Sequence, residues 1–98
     1  MENTNQSQRL VPINDLQWFD CAVDGAGPGE DGTIWVRLTS TDGEFTEVWF
    51  TALPAIRQQV LETALAALQS QLVCGVGLTG TSDGSQIYRI QAFAPKIR

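Results

Sequence analysis

The chain has 98 residues, enough for one domain with a single modest core that buries about 60–65% of the unfolded surface. At 43% hydrophobic and 17% charged, its composition is that of a globular protein and excludes disorder away from the ends. The net charge is −5 and the six basic residues are scattered, so no basic patch is visible in the sequence, a nucleic-acid partner is disfavoured and none is expected.

Residues 1–15 read as a flexible N-terminal arm, most clearly in "MENTNQSQR", and residues 16–98 as one domain. The start carries neither a basic segment nor an apolar leader, and no run approaches a membrane span, so the expected location is the cytoplasm. Cys21 and Cys74 are then expected as reduced thiols, each within an apolar run.

The first strand is expected over residues 16–23, followed by a loop over residues 24–32, "DGAGPGEDG", rich in turn formers. The second strand spans residues 33–40, where Ile34, Val36 and Leu38 alternate with Trp35, Arg37 and Thr39. Asp42-Gly43 suits the positive φ angles of a type I′ turn and predicts a tight hairpin into a third strand over residues 45–52. There Val48 and Phe50 face the core and Trp49 the opposite side.

Pro54 opens a helix that runs to about Gln71, some 27 Å long. Ile56, Val60, Leu61, Ala64, Leu65, Ala67 and Leu68 form its apolar face, and Arg57, Gln58, Glu62, Thr63, Gln69 and Ser70 the other. A fourth strand over residues 72–79, a turn, and a fifth strand over residues 86–93 complete a β-β-β-α-β-β order.

"GVGLTG", Gly75 to Gly80, has the G-x-G-x-x-G spacing of dinucleotide sites, but the helix precedes it and only a turn and a strand follow. A pyrophosphate site needs those glycines to open a helix, so NAD binding is rejected. Gly75 and Gly77 instead leave one face of the fourth strand bare, where a helix or another backbone is expected to approach.

No residue pattern points to catalysis. The chain has no histidine, and the pairs Asp20/Asp24 and Glu30/Asp31 read as solvated carboxylates. Asp24, Glu30 and Asp31 are oxygen donors among glycines without the spacing of a calcium loop, and no metal or cofactor is expected. The aromatic residues Trp18, Trp35, Trp49 and Tyr88 all lie on strands, and outward tryptophans require a reason. A subunit interface is the favoured one, with burial under loops or helix and a stacking platform for sugars as the alternatives.

The element order, carried by "GTIWVRLTSTDGEFTEVWF", "IRQQVLETALAALQSQ", "LVCGVGL" and "IYRIQAF", resembles the B subunits of AB5 toxins. The resemblance implies a β-rich α+β fold, a five-stranded OB-fold-like barrel with one long helix between strands 3 and 4. It also implies assembly into a homopentameric ring, with neighbouring strands paired edge to edge and Arg57, Gln58, Glu62 and Gln69 facing a central pore. The toxin subunits are secreted and usually hold a disulfide, which Cys21 and Cys74 do not reproduce, and no sugar-site motif carries over. The expected function is a non-enzymatic binding module acting as that ring, with a carbohydrate or protein partner. The alternative is a carbohydrate-binding module that uses exposed strand tryptophans.

Overall fold

The computed structural model describes residue 12 and residues 15–93. Apart from residues 12 and 15, the expected N-terminal arm lies outside the described residues. Five strands, β1 (Gln17–Pro28), β2 (Ile34–Ser40), β3 (Val48–Ala52), β4 (Val73–Leu78) and β5 (Gln86–Phe93), close a barrel in the order β1-β2-β3-β5-β4. A 3-10 turn over Pro54–Ile56 leads into α1 (Arg57–Ser70) between β3 and β4. The fold is β-rich α+β and OB-fold-like. No helix among the described residues is long and apolar enough to cross a membrane.

Alternation builds the core. Val36, Leu38, Phe50, Val76, Leu78 and Ile87 are fully buried from four strands, with Cys21 and Cys74 between them. Val60, Ala64 and Ala67 of α1 pack onto the same cluster, their small side chains letting the helix approach closely. Phe45, in the β2–β3 loop, stands edge-on to Phe19 and to Phe50, each at 5.2 Å between ring centroids. Buried Ser40 is fully used, because its hydroxyl donates to the Phe45 carbonyl and accepts the Phe45 N–H.

Three sequence expectations need correction. The segment read as a loop from Asp24 continues β1 to Pro28, because a bulge between Val23 and Gly25 resets the alternation. Gly25 then pairs with Arg37, and Gly27 with Trp35. The β2–β3 connection is wider than a two-residue turn. Leu38 pairs with Val48, Gly43 and Glu47 both have positive φ, and Glu47 N–H is held by the Thr39 hydroxyl. Finally, Leu65 and Leu68, assigned to the buried helix face, are over a third exposed. The helix stops where expected, with Gln71 left-handed at φ 57°.

Much of the β3 edge is covered within the chain. β3 meets β5 in parallel only at Thr51–Gln86 and Ala52–Ile87. The loop before β5 caps the rest of β3: Asp83 accepts the Trp49 N–H at 3.0 Å, and Gly84 N–H donates to the Trp49 carbonyl at 2.8 Å. This loop therefore covers, within one chain, the part of β3 that β5 does not pair.

Candidate functional site

The outward side chains of β2 and β3 form a cleft. Trp35 and Trp49 wall it, Ala26, Gly27 and Pro28 of β1 form its floor and rim, and Asp83 closes one end, around about 610 Å³. The extended β1 is what makes it: Trp49 reaches across Arg37 to Gly25, where a Cβ would stand 3.4 Å from its Cη2. Trp35 lies against Gly29, where a Cβ would meet its Nε1 at 3.1 Å. Gly25 on β1 and Gly29 just beyond its end thus receive indoles from the next two strands.

The electrostatics of this cleft favour an uncharged guest. The Arg37 guanidinium sits 5.6 Å from the Trp49 ring centroid and donates to the Asp24 carbonyl at 3.3 Å, while its Nε is buried without an acceptor. A second cation at Trp49 would face that charge. Asp83 uses Oδ1 on the Trp49 N–H, which leaves its other oxygen as an acceptor at the rim.

The aromatic set does not form one site. Trp35 and Trp49 come together. Trp18, 49% exposed, stands on β1 beside β4, and Tyr88 is half-buried at the β5 irregularity opposite Gly77 and Leu78. Sequence reasoning missed Pro28, Asp83 and the glycine floor, because the bulge that turns a glycine-rich loop into strand leaves no periodic signal. It also misassigned the bare face of β4: no helix or backbone covers Gly75 and Gly77, but the rings of Phe93 and Trp18 do. On α1, Arg57, Gln58, Glu62 and Gln69 are all exposed, with Gln58 Nε2 donating to Glu62 at 3.2 Å.

Among the described residues no three His, Cys, Asp or Glu side chains gather to hold a metal ion. Asp24 accepts the Thr39 hydroxyl at 2.5 Å, and Asp31 accepts the Thr33 N–H, which holds its carboxyl below the usual range. Cys21 and Cys74 are register partners and fully buried. Burial first, then the neighbouring Cys74 and the charges of Asp20, Asp42 and Asp24, push the Cys21 thiol up to about 12, and burial raises Cys74 as well. Reactive cysteines need the opposite shift.

This pair makes stability pH-dependent. The unfolded Cys21 thiol ionises near its ordinary 9.0 and the folded one near about 12, so above pH 9 the folded state binds more protons. Stability is complete below that window and falls as pH rises through it. The urea midpoint is expected to drop between about pH 8 and pH 10.5, and Cys21→Ala/Cys74→Ala to show a shallower fall across the same range. Equal slopes in the two proteins would remove the thiols from the account.

The chain matches no protein-family model, no curated protein and no solved structure.

Proposed function

We propose that this protein is a non-enzymatic binding module that holds a neutral carbohydrate chain on the β2–β3 face. The observation that carries the reading is the cleft itself: Trp35 and Trp49 set against glycines, with Pro28 and Asp83 also lining it. In OB folds the strand 2–3 face and the loops after strands 1 and 4 are the customary places for oligosaccharides and oligonucleotides. The net charge of −5 disfavours the second class. Apolar sugar faces stack on indoles, and hydroxyls find acceptors at Asp83 and the strand backbone. The test is titration of the full chain with cellohexaose, maltohexaose, laminarihexaose and mannohexaose, followed by tryptophan fluorescence. A saturable change with at least one of them is expected. No change with any of them overturns the reading.

A second reading concerns assembly. The resemblance to AB5 toxin B subunits supports a homopentameric ring, with Arg57, Gln58, Glu62 and Gln69 toward the pore. One specific feature favours a self-interface: Leu65, Leu68 and Val73 are exposed beside a groove lined by Ala22, Leu68, Leu72 and Val73. Among the described residues, β5 beyond Ile87 also pairs with β4 alone, which leaves a strand edge for a neighbour. Light scattering on a sizing column is expected to give five times the 10.7 kDa chain mass. A single chain mass would end the ring proposal while leaving the carbohydrate reading intact.

A further inference from the structure

A second aromatic groove lies on another part of the barrel, across β1, β4 and β5. The register sets Trp18 beside Gly77 and Asp20 beside Gly75, with Arg89 and Gln91 on the far side of those glycines. The two rings fill the space above the missing side chains. A Cβ on Gly77 would stand 2.9 Å from Trp18 Cη2, and one on Gly75 would stand 3.0 Å from Phe93 Cε2. Both rings are nevertheless about half exposed, Trp18 at 49% and Phe93 at 47%. They flank a groove of about 450 Å³ whose mouth carries Asp20, Thr41 and Asp42.

The acidic mouth is built into the fold. Thr41 N–H donates to the Asp20 carbonyl at 2.8 Å, tying the turn to β1, and Asp42 Oδ1 accepts the Glu44 N–H at 3.0 Å. Among the described residues the Asp20 carboxylate has neither a hydrogen-bond nor an ion-pair partner. The Arg89 guanidinium lies 6.0 Å from the Trp18 centroid, so a cationic guest has to displace it from that ring. Two half-exposed rings, two carboxylates and a net charge of −5 together complement a positive guest with apolar surface, against the single opposing charge of Arg89.

We propose that the Trp18–Phe93 groove binds a small, free quaternary ammonium compound. Such a cation has no N–H to satisfy, so ring faces can replace its weakly held water, and Asp20 and Asp42 supply the countercharge at longer range. A primary ammonium is more strongly hydrated and fits less well. A phosphocholine headgroup brings an anion against the two carboxylates and is disfavoured.

The test is NMR of the full chain at low salt, following the three indole N–H signals during titration with tetramethylammonium and with choline. The Trp18 signal is expected to shift and saturate while Trp35 and Trp49 stay in place. The uncharged isostere of choline, in which tert-butyl replaces trimethylammonium, is expected to bind at least about tenfold more weakly. Asp20→Asn/Asp42→Asn, both at exposed positions, weakens binding by about tenfold, and Arg89→Ala strengthens it by removing the internal competitor. Trp18→Ala abolishes it. Equal binding of the uncharged isostere, a shift at Trp49 in place of Trp18, or no saturable shift with either cation overturns the proposal. Co-sedimentation with phosphatidylcholine vesicles, lost in Trp18→Ala, would overturn the assignment to a free compound. Because sugars are assigned to the Trp35–Trp49 cleft, failure of one site is distinguishable from failure of the other.

Discussion

Phe50→Ala lowers the stability of the barrel by about 3–5 kcal/mol. Phe50 is fully buried, comes from the shortest strand, and stands edge-on to Phe45 at 5.2 Å. Removing its ring takes the transfer free energy of a whole aromatic side chain and leaves a cavity that strands on every side of a closed barrel cannot collapse to fill. A domain of this size holds only about 5–15 kcal/mol in total, so the variant sits near the edge of folding. At about 4–8 °C per kcal/mol, the melting midpoint is expected to drop by more than about 12 °C. Phe93→Ala is the matched comparison. That ring is 47% exposed on the outer face, so its loss costs about 1 kcal/mol or less. Calorimetry of the two variants checks this, and equal losses would mean that the core does not centre on Phe50.

Trp49→Ala and Trp35→Ala each weaken carbohydrate binding by about 10–100-fold, and the double variant loses it to detection. The two effects should differ in character. Trp35 is wedged against Gly29 and half-buried, so its loss removes mainly a cleft wall. Trp49 also covers Gly25 and faces the Arg37 guanidinium, so its loss exposes the buried side of that group and costs some stability as well. Trp49→Phe retains a flat ring and is expected to recover part of the affinity, which a purely structural defect would not allow. Trp18→Ala is the control, because its ring stands over Gly77 on another part of the barrel. Calorimetric titration of these variants with the best-bound hexasaccharide is the measurement. Binding that survives in the double variant, or is lost in Trp18→Ala, would move the site away from the β2–β3 face.

How much was legible follows from the range of each physical signal. Alternation in Ile34-Trp35-Val36-Arg37-Leu38 specifies a half-buried strand locally, so β2 and the outward tryptophan were readable from neighbours two residues apart. The helix was readable because Pro54 and the spacing of Val60, Ala64 and Ala67 act within a turn or two. Its exact buried arc was not. Leu65 and Leu68 have the same apolar character as Val60, and only the narrow seat on the barrel leaves them at the surface.

The glycines separate the two kinds of information most clearly. Composition makes "DGAGPGEDG" a loop, because glycine and proline weaken isolated strands. In the folded chain β2 supplies a ladder partner for that segment as far as Pro28, and Trp35 and Trp49 supply the side-chain cover it lacks. The same exchange puts Trp18 and Phe93 over Gly77 and Gly75, in a stretch whose spacing imitates a dinucleotide motif. The sequence alone determined the element order, the helix and which residues of β2 and β3 point inward, since these depend on periodicity and turn chemistry close along the chain. The tertiary structure alone decided which aromatic rings meet which glycines and carboxylates, because those partners come from separate strands and only barrel closure, the β1 bulge and the strand registers bring them together.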